Sequence, residues 1–122
     1  MKQNKYTIHD LLDIMARLRA PDGCPWDREQ DHKSLKRYLI EEAYEVLEAI
    51  DEEDPGKLCD ELGDLLLQVI FHAQIAKEND LFDFGDVTHG VSAKMINRHR
   101  HVFGEAEAGT ADDVLSIWEK IK

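Results

Sequence analysis

Residues 41–70 read EEAYEVLEAIDEEDPGKLCDELGDLLLQVI, and the repeat of apolar and acidic positions in this stretch decides the fold. Plotted at about 100° per residue, Leu39, Ala43, Val46, Leu47 and Ile50 fall in one stripe, and Glu41, Glu48 and Glu52 lie on the far side. Glu42 and Glu45 belong to neither set and sit on one shoulder of the stripe. The pattern halts at Asp54-Pro55, a helix N-cap followed by proline at the first helical position. It resumes with Leu58, Leu62, Leu65, Val69, Ala73 and Ala76, and Glu61 and Asp64 take the matching shoulder. Two consecutive helices therefore each carry an i, i+3 acid pair beside the core.

Reading outward, helical segments follow one another and nothing alternates like a strand. Residues 7 to about 20 open with Thr7 and Asp10 in capping-box spacing and place Ile8, Leu11, Leu12, Met15 and Leu18 on one face. Residues 21 to 33 hold Pro21, Gly23 and Pro25 and are expected to form an ordered loop. The acid-bearing helices are expected over residues 34 to 52 and from 55 to about 79. A fourth helix spans about 86 to 103, stopped by Gly104. A last one opens at Thr110, with Asp113 three residues on, and carries Val114, Ile117, Trp118 and Ile121 on one side. The expected architecture is all-α: one domain over residues 1–122, a bundle of four to five helices whose four-helix core is completed by homodimerisation.

Composition agrees. Only 7 Gly and 3 Pro occur among 122 residues, too few for a turn-rich β fold. No run approaches the roughly 18 apolar residues of a membrane span, and the first residues lack the apolar stretch of a signal peptide. The expected location is the cytoplasm, with Cys24 and Cys59 as reduced thiols. Fifteen basic against 26 acidic residues give a net charge of −11. That argues against nucleic acid and against a membrane surface as partners, since both demand basic patches. It leaves room for a small phosphate substrate whose charge is balanced by metal ions.

The third helix, the second of the two that carry acids, shows where such ions would go. Leu66, Leu67, Ile70, Phe71 and Ile75 make this helix apolar nearly all round, and its exceptions, Glu61, Asp64, Gln68 and His72, form a single stripe. Carboxylates beside a core persist only when paired, protonated or bound to cations. Few cationic side chains are at hand: Lys36 and Arg37 precede the acids and none follows before Lys57. An oxygen-only ligand set suits Mg²⁺, Mn²⁺ or Ca²⁺, and Mg²⁺ above all where a phosphate completes the shell. A solvated acidic face laced with i, i+4 ion pairs is the competing reading.

The spacing Glu41-Glu42-x-x-Glu45 followed by Glu61-x-x-Asp64 resembles the EExxE…ExxD signature of MazG-type nucleoside triphosphate pyrophosphohydrolases. The likeness extends along nearly the whole chain. Arg19-Ala-Pro-Asp-Gly-Cys-Pro-Trp-Asp27 is similar to that family's loop before the acidic helix, and Arg98-His-Arg-His-Val-Phe-Gly104 to the end of its fourth helix. The resemblance implies an all-α fold that assembles as a dimer or a dimer of dimers. It also implies hydrolysis of a nucleoside triphosphate to monophosphate and pyrophosphate with Mg²⁺, or Mn²⁺ as substitute, and the clearing of non-standard or deoxy nucleotides. It places the metal on Glu42, Glu45, Glu61 and Asp64, the same four shoulder residues. It further implies phosphate contacts from Lys57, Lys94, Arg98 and Lys122. The base that accepts the water's proton is left open between Glu41 and Glu42.

Trp118 is expected on a core stripe, with closure over the nucleotide as its functional alternative. Trp26 is expected to anchor its loop, with base stacking as the alternative. His99 and His101 point too far apart on a helix for one ion, and His72 reads as a satisfied interior histidine, with support of the metal-binding acids from behind as its alternative. A second function class is a catalytically weak regulatory or dimerisation domain, or one domain of a tandem protein. A di-iron bundle is disfavoured, because the only Glu-x-x-His, Glu29 to His32, falls in the loop region. Finally, Leu67, Phe71 and Ile75 lie opposite the stripe of their helix and are expected to form the dimer contact.

Overall fold

The structure, a computed structural model, describes residues 4–105, 107 and 109–121, the last without its side chain. Seven helices are present among the described residues and no strand: α1 (Ile8–Leu18), α2 (Pro25–Glu29), α3 (His32–Asp51), α4 (Pro55–Glu78), α5 (Phe84–Arg98), α6 (Arg100–Phe103) and α7 (Ala111–Ile121). None is long and apolar enough to cross a membrane. The all-α expectation holds, with two extra short helices. One is α2, inside the stretch expected to be loop, where Pro25 supplies a preset φ at the first turn. The other is α6, split from α5 at His99, whose φ of −113° and ψ of 47° leave the helical region.

The centre of the fold is the α3–α4 hairpin. Glu53 takes a left-handed φ of 53° to reverse the chain, and Asp54 accepts the Lys57 backbone N–H at 3.1 Å to start α4. A cap of this kind is worth about 1 kcal/mol. At the far end of the hairpin, Asp31 and Ser34 form a reciprocal capping box that starts α3 at His32. Thr7 and Asp10 do the same for α1, as their spacing predicts.

The chain separates into two compact units, one ending at Phe84 and the other beginning at Gly85. In the first, α1 lies on α4. Met15, Leu35, Ile70, Phe71 and Ile75 form the buried core, and Leu11, Leu12, Leu67 and Phe84 pack against it. This overturns the expected dimer contact. Leu67, Phe71 and Ile75 face α1 and the interior, because α1 covers the side of α4 that a two-helix reading leaves bare. The large apolar residues that stay exposed include Leu39, Leu47 and Ile50 on α3 and Leu62, Leu66 and Val69 on α4. Most of them had been expected as core; of the α3 stripe only Val46 is buried, alongside Leu35 and Ala49.

Between α1 and α3 the chain doubles back tightly. Gly23 donates to the Ala20 carbonyl and Cys24 to the Leu18 carbonyl, both at 2.8 Å. A Cβ at Gly23 would strike the carbonyl oxygens of Leu18 and Arg17, so only glycine fits. Arg19 then ties the segment down. Its side chain is 8% exposed; Nε and Nη2 donate to the two oxygens of Glu78 at 2.8 and 2.9 Å, and Nη1 donates to the carbonyls of Asp27 and Gln30 at 2.5 and 3.0 Å. The guanidinium also lies 5.6 Å from the Phe71 ring centre.

In the second unit, Thr110 accepts the Asp113 N–H at 3.2 Å and Asp113 accepts the Gly109 N–H at 3.1 Å, which starts α7. Trp118, half-buried on α7, donates its indole N–H to the Arg98 carbonyl at 2.7 Å, and the His99 ring meets it edge-on at 5.4 Å. That contact covers the point where α5 breaks.

Candidate metal centre

Three carboxylates meet across the α3–α4 hairpin. Glu42 comes from α3, Glu61 and Asp64 from α4, and one oxygen of each lies within 4.8 Å of the others. Their convergence follows from the antiparallel hairpin and from the shoulder position that each occupies. Burial, then the charges of Asp64, Glu61, Glu45 and Glu41, hold the Glu42 carboxyl above its ordinary range. Glu61 is raised in the same way, by burial first and then by Glu45, Asp64 and Asp60. Glu45 thus stands beside the trio as a fourth negative charge, outside its 4.8 Å cluster.

The neighbouring cations are engaged elsewhere. Arg37 Nε donates to Glu41 at 3.1 Å, an exposed i, i+4 pair that keeps Glu41 apart from the trio. Lys57 Nζ donates to Glu52 at 2.9 Å; this bond first, and the charges of Glu52, Glu48 and Glu45 after it, raise the lysine's pKa despite partial burial. An oxygen cluster in which burial and neighbouring charge hold Glu42 and Glu61 above their ordinary range, with no cationic side chain among its ligand atoms, fits a hard divalent cation that accepts oxygen ligands.

The remaining predicted residues fall into three groups. Trp26 stands on α2, 49% exposed, its ring edge-on to Tyr38 at 5.8 Å and to Phe71 at 6.4 Å; it anchors its segment and still presents a face to solvent. Lys94, exposed, and Arg98, half-buried, lie one turn apart on α5, and Trp118 caps the end of that helix. Lys122 lies outside the described residues.

Sequence reasoning missed two features. One is the Arg19 clamp, whose partners lie as far as 59 positions along the chain and leave no periodic signal. The other is a pair of imidazoles. His32 and His72 bring their Nδ1 atoms to 2.7 Å, so His72 is paired at one nitrogen. Its buried Nε2, and the buried Oε1 of Gln68 one turn earlier on α4, have no hydrogen-bond partner among the described residues. His72 is therefore not the fully satisfied interior histidine that its position suggested.

The model of the MazG nucleotide pyrophosphohydrolase domain matches residues 30–103. A Thermotoga maritima protein named nucleoside triphosphate pyrophosphohydrolase/pyrophosphatase MazG is 49% identical over all of this chain and 46% of its own length. The Escherichia coli K12 nucleoside triphosphate pyrophosphohydrolase is 51% identical over 94% of this chain and 44% of its own length. The Bacillus subtilis uncharacterized protein YabN is 50% identical over all of this chain and 26% of its own. Among solved structures, a mazG-related protein from Thermotoga maritima superposes with a TM-score of 0.76 at 26% identity, covering 93% of this chain and 96% of that one. The chain belongs to the MazG nucleotide pyrophosphohydrolase family. It spans less than half the length of these three curated relatives.

Proposed function

We propose that this MazG-family chain hydrolyses nucleoside triphosphates to nucleoside monophosphate and pyrophosphate with the help of Mg²⁺, Mn²⁺ serving as substitute. The observation that carries the reading is the convergence of Glu42, Glu61 and Asp64 in a chain whose relatives are named for this activity. In this reading these three residues hold the cation and Glu45 completes the set. A divalent cation so bound supplies neutralisation of phosphate charge and Lewis-acid polarisation at phosphorus.

The chain's own residues do the rest. A water attacks the α-phosphorus, the bond from that phosphorus to the α,β-bridging oxygen breaks, and pyrophosphate leaves with the bonding electrons. A carboxylate takes the proton of the water, either Glu42 or Glu41. The pairing of Glu41 with Arg37, which leaves Glu42 and not Glu41 among the clustered carboxylates, supports Glu42. Lys57 exchanges Glu52 for a phosphate oxygen, and Lys94, Arg98 and Lys122 supply further donors. Trp26 and Trp118 are the aromatic surfaces for the nucleotide. Clearing of non-standard or deoxy nucleotides in the cytoplasm is the role that fits, with neither nucleic acid nor membrane as partner.

The exposed apolar residues Leu47, Ile50, Leu62, Leu66 and Val69 support homodimerisation, or a dimer of dimers, through the α3–α4 hairpin. A second reading, a weakly active regulatory or dimerisation domain of a tandem protein, draws on the share of each relative that the chain covers. Incubating the chain with a panel of nucleoside triphosphates, with and without Mg²⁺, and identifying the products separates the two. Monophosphate and pyrophosphate are expected; diphosphate and orthophosphate, or no turnover, would refute the first reading.

A further inference from the structure

Trp26 bridges α3 and α4: its ring meets one residue of each helix edge-on, Tyr38 and Phe71. Both are in register with the carboxylates. Tyr38 precedes Glu42 by one turn of α3, and Phe71 follows Asp64 by two turns of α4, about 10 Å along its axis. Lys57 lies two turns before Asp64, toward the opposite end. Along the α3–α4 pair the order is therefore cation, carboxylates, aromatic face. A triphosphate whose α-phosphorus sits at the carboxylates, and whose outer phosphates lie toward Lys57, has its ribose and base directed toward Trp26.

What holds Trp26 there is not its own helix. With five residues, α2 is too short to be stable alone. Its last turn is satisfied from outside: Asp27 and Gln30 give their carbonyl oxygens to one nitrogen of Arg19. The same guanidinium is gripped on its other edge by both oxygens of Glu78 at the end of α4, whose carboxyl it holds below the ordinary range. Its face lies against Phe71, the residue that the Trp26 ring touches. One buried side chain thus joins the end of α1 to α2 and α4 and fixes the segment that carries Trp26. A fork of donors is required, and a lysine ammonium cannot reproduce it.

We propose that Arg19 is a positioning residue for the nucleoside end of the substrate, acting through Trp26; the proposal rests on the nucleotide reading above. The test is calorimetric binding, with Mg²⁺, of two probes: α,β-methylene-ATP, which the chain cannot cleave, and inorganic tripolyphosphate, which has no nucleoside. Arg19→Lys is expected to weaken binding of the nucleotide analogue about tenfold and to leave tripolyphosphate unchanged. Trp26→Ala is expected to match it, and the double variant to lose no more than Trp26→Ala alone.

Unchanged affinity for the analogue, an equal loss for both probes, or additive losses in the double variant would overturn the proposal. Should Arg19→Lys fail to fold, Glu78→Gln keeps the two carbonyl bonds and weakens only the grip on the guanidinium. A smaller loss confined to the analogue is then expected, and an equal loss for both probes overturns the idea. A wild type that binds the analogue without cleaving ATP refutes the hydrolytic reading alone. One that binds neither probe refutes both.

Discussion

His32 and His72 are joined end to end. Their ring planes are within 2° of parallel, the centroids are 5.0 Å apart and the Nδ1 atoms 2.7 Å apart. The centroid separation equals the nitrogen separation plus one ring radius from each side. The rings therefore lie in one plane, sharing one in-plane N–H···N bond, and are not face to face. One Nδ1 must donate and the other accept, so the bond exists only while one of the two nitrogens lacks a proton.

This gives the first prediction. Burial, and then His32, lower the pKa of His72, and no carboxylate among the described residues acts on it; next to His32 the chain carries Asp31, engaged as the α3 cap, and Lys33. A histidine with a folded pKa below its unfolded value of about 6.5 contributes stability that is present above that pH. The contribution is lost as pH falls through the lowered pKa. A loss of about 1 kcal/mol, one hydrogen bond, is expected between neutral pH and the acid side of that window. The raised carboxyls Glu42 and Glu61 pull the other way in metal-free protein, so the quantity to read is the difference in urea midpoint between wild type and His72→Gln. A difference independent of pH would show that the pair does not titrate as a unit.

Asp64→Asn is expected to lower hydrolysis by more than about tenfold, since a lost metal ligand costs at least that much, while far-UV circular dichroism stays unchanged. Without metal the variant should be at least as stable as wild type, because it removes one of three crowded negative charges. Rate measurements and thermal melts in chelator check the two halves separately.

Glu41→Gln and Glu42→Gln are adjacent and chemically identical changes with different expected results. Glu41 is paired to Arg37 outside the trio, so its loss should scarcely alter Mg²⁺ affinity, whereas Glu42→Gln should weaken it clearly. Equal effects in a metal titration would contradict the arrangement of α3.

Mg²⁺ should raise the melting temperature beyond the effect of NaCl at equal ionic strength. A ligand bound only by the folded state stabilises it by about 2.7 kcal/mol at one hundred times its dissociation constant. Identical melting curves in the two salts would leave the trio as ordinary surface charge.

Substitutions on the two sides of α4 should fail differently. Phe71 is 2% exposed, so Phe71→Asp is expected to cost more than about 3 kcal/mol and to unfold the chain. Leu66 is exposed in the first half of the helix, so Leu66→Asp should remain folded and run as a monomer in light scattering. A Leu66→Asp protein that dimerises as wild type does would place the dimer contact elsewhere.

The helices and the acid trio were legible because both are written as short-range periodicity. Asp54-Pro55 marks a helix start by local chemistry, and Glu42, Glu61 and Asp64 share a shoulder at fixed angles. Which apolar face is covered was not legible. Leu67 and Phe71 differ from Leu62 and Leu66 only in what α1 does, and the docking of α1 is a long-range event. For the same reason Arg19, half-buried as a residue, and His32, exposed at the first position of α3, gave no sign of partners 59 and 40 positions away.

The hairpin that brings the carboxylates together also bears on how the chain folds. Glu42 and Asp64 stand close in sequence, joined by one tight reversal at Glu53 and Asp54, so closing the loop between them costs little entropy. Contacts of such low sequence separation form early. The acid cluster can therefore assemble before α1 docks and before the Arg19 clamp closes, which makes the repulsion among its charges an obstacle to an early step. A divalent cation that relieves this repulsion in the nascent hairpin would accelerate refolding as well as slow unfolding.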